Sequence, residues 1–509
     1  MPAWVQAALA ASPIAAILIA MLGLRWSAAR AGVAGLVLAL GLAWTAFGLG
    51  RRALPDQGVL GATGGSLLEA VFIAATILWI ILPALSIHEL QQRGGALDVL
   101  RRAMARLSPD PRITALLVAW FFVLFVEGAA GFGTSVALAA PFLVAAGFGR
   151  VEAVTIALVG HAVGVSFGAV GTPILPQVAV TPYSGRELAS ITAAYHSLAG
   201  GLMPLAAMLL VTRSLPPERR GGRAIWGWTL GAAAAFLLPQ QAIATFVGPE
   251  LPALGGALLG GVAFVAALRI ARRGQAGAGA PVEGRDLARA AAPYLALVAL
   301  VLLSRLVPPL REALSAPTLG WSLGPFSGEM AVLYHPGSML AAAFLIGAVV
   351  QGASRAALTG ALGAAVRQLV PVTIALVAML SISRVMVYAG MIEALAIAAA
   401  AAAGSAWPLF APFVGMLGTF VTGSATASNI LFSDFQLATA QRSGLPPLPL
   451  LGAQGFGAAV GNIICPHNVI AAGATVQLAG REGEVLRRTL GIALGYAAVG
   501  GLLAWAVFV

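Results

Sequence analysis

Long apolar segments dominate this chain and constrain its fold more than any other feature. Of its 509 residues, 60% are hydrophobic and only 9% are charged, whereas a soluble domain carries about 25% charged residues. A soluble fold of this size has no way to keep so much apolar surface from water, so much of that surface must face lipid. The composition therefore predicts an all-α integral membrane protein with many spans.

Spanning helices are expected wherever about 20 mostly apolar residues follow one another. Two further apolar stretches, 112–148 and 406–442, carry small and polar residues at their centres, and we interpret them as re-entrant hairpins. Two full spans in each stretch is the alternative. The 12 predicted spans are 3–24, 31–50, 66–88, 151–172, 187–212, 224–247, 251–269, 290–308, 338–353, 368–388, 447–464 and 487–508.

The basic residues follow the topology of these spans. All 29 are arginine. With the N-terminus outside, 22 fall in cytoplasmic segments and 6 outside, while Arg384 falls within a span. This is the positive-inside pattern, and it excludes a nucleic-acid-binding protein, which needs a basic face on a polar domain. The single cysteine, Cys465, excludes an intramolecular disulfide and a cysteine metal cluster.

An internal repeat relates the two halves of the chain. Segment 97–100 aligns with 392–395 and segment 125–128 with 420–423 at one offset, and the Gly-x-x-x-Gly and proline pattern near 164–173 aligns with 457–466. The first copy opens on the third crossing and the second on the tenth, so the copies are predicted to run in opposite directions. Inverted repeats of this kind are common in secondary transporters.

The repeat sets the expected domain boundaries. An N-terminal half, 1–269, holds the first copy at about 31–212. A polar segment rich in glycine, 270–289, is the expected cytoplasmic linker. A C-terminal half, 290–509, holds the second copy at about 338–508.

The hairpin tips are the first candidates for substrate binding. Irregular backbone at membrane depth is tolerated only where it is buried in protein or lines a wet cavity. Glycine permits close approach to a ligand, and the helix N-termini beside such tips suit a carboxylate. Helix packing through small residues is the alternative. The candidates are Gly131, Gly133, Thr134 and Ser135 in the first tip and Thr422, Ser424, Thr426, Ser428 and Asn429 in the second.

The proline-interrupted spans that follow each hairpin supply further candidates. Proline frees a carbonyl one turn earlier, and such a carbonyl is able to hold a cation or a substrate together with nearby polar side chains. These candidates are Thr172, Gln454, Asn462, His467 and Asn468.

Three ionisable residues lie within apolar sequence. Glu127 and His161 are the candidates for proton coupling, because an apolar environment favours the neutral carboxylic acid and histidine titrates near neutral pH. A Glu127 that caps its own hairpin and a His161 that is a buried donor are the alternatives. Arg384 is a candidate partner for a substrate carboxylate, or else it neutralises Glu89 or another acid. We expect Glu69 and Asp434 at helix ends.

Enzymatic motifs are missing from the sequence. It contains no nucleotide-binding loop, zinc motif or nucleophile elbow. We therefore expect no enzyme activity, no cofactor and no metal, and we expect transport to run on an ion gradient.

Several segments resemble the L-lactate permease family, which includes glycolate permeases. They are Phe125–Val144, Ser166–Ile174, Phe246–Pro252, Val421–Asn429 and Gly461–Ala472. The resemblance implies elevator-like, proton-coupled symport of L-lactate, D-lactate or glycolate across the bacterial inner membrane. The partners would be a small organic anion, a proton and membrane lipid, with a homo-oligomer left open.

The chain departs from the family pattern at three places. Ala425 replaces an acid, Cys465–Asn468 replaces Ser-Pro-Gln-Ser, and Arg384 replaces an apolar residue. These departures keep an alternative open, namely a sodium- or proton-coupled transporter of another organic anion such as a dicarboxylate or sulfonate.

Overall fold

The computed structural model describes residues 1–22, 24, 26–105, 108–131, 133–216, 220, 222–271, 282–478 and 481–509. Residues 272–281 of the predicted linker lie outside the described residues. Twelve of the described helices are long and apolar enough to cross a membrane, and one further pair of helices, 185–199 and 202–214, passes the same test with a bend of 42° between its members. The predicted helical membrane fold is confirmed.

The first part of the chain builds two short spans, a long helix and the first hairpin. Asp110 caps the hairpin's first arm by accepting a hydrogen bond from the Arg112 amide at 3.0 Å, and a π-helical turn at Leu117–Phe122 joins two segments of that arm. The helices are α1 (Ala3–Leu22), α2 (Ala28–Leu42), α3 (Gly58–Arg93), α4 (Ala96–Ala105), α5 (Pro111–Leu116), α6 (Val123–Ala129) and α7 (Thr134–Ala145).

The next helices include the first interrupted span. A 3₁₀ segment, Ala162–Phe167, separates α8 from α9, and a capping box between Ser184 and Glu187 starts α11. These helices are α8 (Arg150–His161), α9 (Gly168–Gly171), α10 (Leu175–Val180), α11 (Gly185–Ala199), α12 (Leu202–Ser214), α13 (Ala224–Phe246), α14 (Pro252–Ala271), α15 (Gly284–Leu306) and α16 (Pro308–Ser315).

A small antiparallel β-hairpin follows, which the sequence analysis missed. It consists of β1 (Thr318–Leu323) and β2 (Phe326–Ala331), with Leu323 paired to Phe326 at the turn. Phe326 is fully buried and packs edge-on against Tyr388, with ring centroids 4.8 Å apart. The hairpin therefore covers one end of α3 and of the long helix that carries Tyr388.

The remaining helices repeat the order seen earlier in the chain. In each half a long helix is followed by a short arm, a helical hairpin, an interrupted span and another helix. The opposite direction of the two copies stays a prediction. These helices are α17 (Pro336–Gln351), α18 (Arg355–Tyr388), α19 (Met391–Ala403), α20 (Trp407–Thr422), α21 (Ala425–Arg442), α22 (Pro447–Gly461), α23 (Pro466–Thr475) and α24 (Glu482–Leu503).

Ten of the twelve predicted spans correspond to helices long enough to cross a membrane. The predicted span at 187–212 corresponds to the bent pair of helices 185–199 and 202–214, which pass the span test together. Pro204 has no N–H to donate to the carbonyl of Gly200, which favours a bend between the two helices. The predicted span at 338–353 is the 16-residue helix α17. At a rise of 1.5 Å per residue it extends about 24 Å, less than the hydrocarbon thickness of about 30 Å.

Burial separates the centre of the protein from its periphery. In the first hairpin arm (111–129) and the two interrupted spans (150–171 and 447–475), 83%, 100% and 89% of the most apolar 18-residue stretch is buried inside the protein, whereas the share is 28% in each of the first two spans. A separate hydrophobic cluster joins α1, α2, α3 and α18 to the second hairpin through residues such as Ile430 and Phe432. The interrupted spans and hairpin tips therefore meet in the interior.

Candidate functional site

A small cavity lies where the two hairpin tips meet the two interrupted spans. Its volume is about 30 Å³, which is room for about two water molecules. The lining combines backbone from four segments with a few polar side chains. The lining residues are Glu127, Gly131, Val165, Gly168, Ala169, Thr172, Pro173, Gly423, Ser424, Ala425, Thr426 and Asn462.

Glu127 supplies the carboxyl group of this cavity. It is 4% exposed, and its Oε2 accepts a hydrogen bond of 2.6 Å from the Ser135 hydroxyl across the first tip. A Cβ placed on Gly168 would lie 2.5 Å from Oε1 of Glu127. Glycine at 168 is therefore what lets the carboxyl group lie against the interrupted span.

The first interrupted span exposes backbone to the cavity because its helix is broken. Ala169 and Val170 have left-handed backbone angles, with φ of 42° and 57°, and each such non-glycine residue costs about 1–2 kcal/mol. Thr172 donates a hydrogen bond of 3.1 Å to the Gly168 carbonyl. The Pro173 carbonyl accepts one of 2.7 Å from the Asn429 amide of the second hairpin.

The second tip presents the start of helix α21 to the cavity. Gly423 is left-handed, with φ of 78°, and Ser424 is the N-cap, accepting a hydrogen bond of 3.3 Å from the Ala427 amide. Ala425 and Thr426 occupy the first turn, whose N–H groups have no acceptor within the helix. These N–H groups and the helix dipole suit a carboxylate.

The second interrupted span reaches the first tip through asparagine side chains. Asn468 donates a hydrogen bond of 2.6 Å to Oδ1 of Asn462, which lines the cavity. A Cβ on Gly133 would lie 2.5 Å from Oδ1 of Asn468. His467 is exposed, and its Cβ lies 3.4 Å from the place that a Cβ on Gly423 would take.

A buried amide network supports the second tip from behind. Gln454 donates to Ser428 at 3.2 Å and to Asn429 at 3.3 Å, and Ser428 donates to the Gly415 carbonyl at 2.8 Å. Thr422 donates 2.7 Å to the Gly418 carbonyl. These residues do not line the cavity, so we assign them the role of holding the second tip in place.

Of the predicted site residues, six line the cavity and the others fall into two groups. The lining residues are Glu127, Gly131, Thr172, Ser424, Thr426 and Asn462. The group next to the lining comprises Gly133, Thr134, Ser135, Thr422, Ser428, Asn429, Gln454, His467 and Asn468. His161 and Arg384 are not among the lining residues.

His161 is fully enclosed at the end of α8. Its Nδ1 lies 2.7 Å from the Leu158 carbonyl, and its Nε2 is buried without a partner. It therefore has a position in the core and not on the cavity wall.

Arg384 belongs to a separate buried cluster of charges. It pairs with Asp434 and, at 3.6 Å, with Oε1 of Glu69. Both acids lie inside helices and are each 8% exposed, so their expected placement at helix ends was wrong. The helices extend well beyond the apolar runs from which they were predicted.

Backbone positions and one histidine were missed by the sequence analysis. Gly168, Gly423 and Pro173 line the cavity, and their position in broken helices was the available signal. His196 is buried, with Nε2 lying 2.9 Å from Ser166 and Nδ1 3.0 Å from Tyr496. Nothing in the local sequence of α11 distinguishes His196 from a core residue.

Metal ligands are not gathered anywhere in the described part of the chain, where no group of three or more histidine, cysteine or acidic side chains is suited to hold an ion. Within the described lining of the cavity, Glu127 is the only ionisable residue. The site therefore offers one carboxyl group, hydroxyls, an amide and helix N-termini.

One solved structure with a similar fold is MtrF of Neisseria gonorrhoeae, from a class of antimetabolite efflux pumps. It matches with a TM-score of 0.53 at 15% identity, over 94% of this chain and 95% of that chain. At this identity the likeness shows the fold alone.

Sequence comparison identifies the family. An L-lactate permease of Streptococcus iniae is 30% identical over 382 residues, covering 73% of this chain and 79% of that protein. Glycolate permease GlcA of Escherichia coli K12 is 28% identical over 548 residues, covering 98% and 95%. The L-lactate permease family model matches residues 6–323 and 325–509. With its spanning helices and its buried cavity between two hairpin tips, this chain belongs to the L-lactate permease family and is a multi-pass transporter of the bacterial inner membrane.

Proposed function

We propose that the protein carries a short 2-hydroxymonocarboxylate, L-lactate, D-lactate or glycolate, together with a proton. Relatives named as lactate and glycolate permeases support the choice of cargo. The small volume of the cavity and its neutral donors support a small anion over a larger one.

The proposal of proton coupling depends on one observation, namely that Glu127 is the only ionisable group among the described lining residues. A substrate carboxylate in this cavity lies beside the Glu127 carboxyl group, which is 4% exposed. Two like charges at such a distance repel strongly at low dielectric. The anion therefore binds when Glu127 is protonated, and binding of the anion draws in a proton.

Neutral donors hold the substrate in this proposal. The first-turn N–H groups of Ala425 and Thr426 and the Asn462 amide belong to residues that line the cavity. Helix N-termini bind carboxylates without a cationic side chain. This arrangement keeps the net charge of the cavity unchanged on loading, because the negative charge that the substrate brings is offset by the proton that binds to Glu127.

The experiment is uptake into proteoliposomes. Labelled L-lactate, D-lactate and glycolate are offered under an imposed inward proton gradient, with sodium present or replaced by choline. We expect accumulation of at least one substrate that follows the proton gradient and is unchanged by choline. If none of the three substrates is taken up while a reference transporter works in parallel, the proposed substrate class is refuted. If uptake requires sodium, the proposed proton coupling is refuted.

Glu127→Gln tests the coupling residue. Glutamine resembles the protonated acid in shape and charge, so the variant should exchange labelled for unlabelled substrate but fail to accumulate it against a gradient. The matched control is Glu393→Gln, which removes a half-exposed acid that pairs with Arg442 on the second hairpin. Full gradient-driven accumulation by Glu127→Gln would exclude Glu127 as the coupling acid.

A further inference from the structure

A second cavity, with a volume of about 320 Å³, lies where several helices end on one side of the protein. The last turns of α3 and α17 and the first turns of α4, α15 and α18 border it, and it shares no lining residue with the substrate cavity. Helices α3 and α18 contain 36 and 34 residues, so they extend about 54 and 51 Å, well beyond the hydrocarbon thickness of about 30 Å. The cavity at their ends therefore lies at the level of the lipid headgroups.

The lining of this cavity carries charges of both signs. Arg93 at the end of α3 and Arg289 near the start of α15 supply two guanidinium groups, and Asp286 supplies a carboxylate. Asp286 and Arg289 lie three residues apart, on the same side of α15, and neither has an ion-pair partner within the described residues. Arg93 contacts Glu89 through Nε at 3.2 Å, which leaves its terminal nitrogen atoms to bind a ligand.

Buried amide hydrogen bonds hold the helices around the cavity together. Gln91 is fully buried and donates a hydrogen bond of 2.7 Å to the Ala290 carbonyl. Gln351, which lines the cavity, donates 2.8 Å to Oε1 of Gln91 and 3.1 Å to the Arg289 carbonyl. Both hydrogens of the Gln351 amide are thereby used, so its Oε1 remains as an acceptor. The cavity is therefore a fixed part of the packing of α3, α15 and α17.

Two helices begin at the cavity. Ala96, which lines it, is the first residue of α4, and the lining residues Ala353 and Ala357 flank the start of α18. Ser354 caps α18 by accepting a hydrogen bond of 3.1 Å from the Ala357 amide, while the preceding amides of the first turn have no acceptor within the helix. Helix N-termini favour phosphate groups, so they act in the same sense as the two guanidinium groups.

We infer that this cavity binds the headgroup of a zwitterionic phospholipid of the phosphatidylethanolamine class. The phosphate contacts the guanidinium groups of Arg93 and Arg289, and the ammonium group contacts the Asp286 carboxylate and Oε1 of Gln351. An anionic headgroup without an ammonium group would leave Asp286 beside a second negative charge. The lipid would join α3, α4, α15, α17 and α18 at one surface of the membrane. This site does not depend on the proposed function.

Native mass spectrometry on the purified full-length protein tests the inference. Delipidated protein in detergent is titrated with dioleoyl-phosphatidylethanolamine, with dioleoyl-phosphatidylglycerol or with inorganic phosphate. We expect one phosphatidylethanolamine to bind more tightly than further copies and more tightly than phosphatidylglycerol. Arg289→Gln should weaken binding of this first lipid roughly 10-fold, because it removes a charge-assisted contact with the phosphate. Arg285→Gln is the matched control, since it removes an exposed arginine of the same helix that does not line the cavity.

Asp286→Asn tests the ammonium group separately from the phosphate. This variant should bind phosphatidylethanolamine more weakly and phosphatidylglycerol more tightly than the wild type, whereas Glu283→Gln, which removes an exposed acid outside the lining, should change neither. The inference is overturned if the wild type prefers phosphatidylglycerol, or if Arg289→Gln binds like Arg285→Gln. Displacement of the first lipid by millimolar inorganic phosphate would also overturn it, because the ligand is then a free phosphate. The exposed positions of all four substituted residues lead us to expect wild-type melting temperatures without lipid.

Discussion

Replacing Gly168 by alanine tests whether the position of the Glu127 carboxyl group governs transport. The added Cβ would lie 2.5 Å from Oε1 of Glu127, whereas ordinary contact begins at 3.4 Å, so the carboxyl group must move by about 0.9 Å. The atom that meets the new methyl group is the end of a flexible side chain. We therefore expect the protein to fold and the carboxyl group to be displaced.

The size of the effect follows from the hydrogen bond that this displacement breaks. Ser135 donates to Oε2 of Glu127 at 2.6 Å, and a shift of this size removes that bond. Loss of a buried hydrogen bond that leaves one partner unsatisfied costs about 1–3 kcal/mol. If Glu127 must occupy its present position for substrate and proton to bind together, uptake should fall roughly 5- to 150-fold.

Gly164→Ala is the matched control for this prediction. Gly164 lies four residues earlier in the same interrupted span, and its added Cβ would meet Cδ2 of Leu124 at 2.7 Å and only approach Cγ of Glu127 at 3.7 Å. Both variants add one methyl group to a glycine of the same interrupted span. Only the substitution at 168 displaces the carboxyl group.

The assay is initial uptake of labelled lactate and glycolate under a proton gradient, with the melting temperature of each purified variant. We expect Gly168→Ala to melt near the wild type and to lose uptake, and Gly164→Ala to keep most of its uptake. Equal losses in both variants would show a general packing effect. Wild-type uptake by Gly168→Ala would refute the role of the carboxyl position.

Three further outcomes are expected. Burial, and then the nearby Arg305 charge, lower the pKa of His335 to about 4. Between pH 4 and 6.5 the folded protein therefore binds fewer protons than the unfolded chain and loses stability as the pH falls. At pH 5 we expect the free energy of unfolding to be about 2 kcal/mol lower, visible as a lower melting temperature that His335→Asn does not show. Gly128→Ala places a methyl group against the Leu254 backbone and should lower the stability by about 1–3 kcal/mol or prevent folding. The methyl group of Gly41→Ala meets nothing within 4 Å, so this variant should melt at or above the wild-type temperature. Cys465 is the only cysteine and is 1% exposed beside the second tip, so maleimide should label it slowly. Saturating lactate should slow the labelling further, and a rate unaffected by any of the three substrates would contradict the proposed position of the substrate next to this tip.

The membrane fold could be predicted because it depends on length and apolarity alone. Ten spans followed from apolar runs of sufficient length, and the glycine- and hydroxyl-rich tips at Gly131 and Ser424 indicated where helices would break. The β-hairpin at 318–331 escaped because its strands are short and largely exposed. Short strands carry little apolar periodicity.

The partners of charged residues could not be predicted, since they depend on which helices meet in three dimensions. Arg384 is 50 residues from Asp434 and 315 from Glu69, and nothing local marks those acids as its partners. The placement of Glu69 at a helix end failed because α3 begins at Gly58, eight residues before the predicted span. Asp434 lies near the middle of α21 (Ala425–Arg442). The cavity wall is mostly backbone, which the sequence indicates only through the residues that break helices.

The small size of the cavity has a consequence for selectivity. With room for about 30 Å³, the walls must separate to admit a carboxylate and must come together again around it. Under the proposed function, a bulkier 2-hydroxy acid reaches the same donors at the N-terminus of α21 but holds the tips apart. Such a compound occupies the protein without being carried, so discrimination acts on the rate of closure and larger analogues of the cargo become competitive inhibitors.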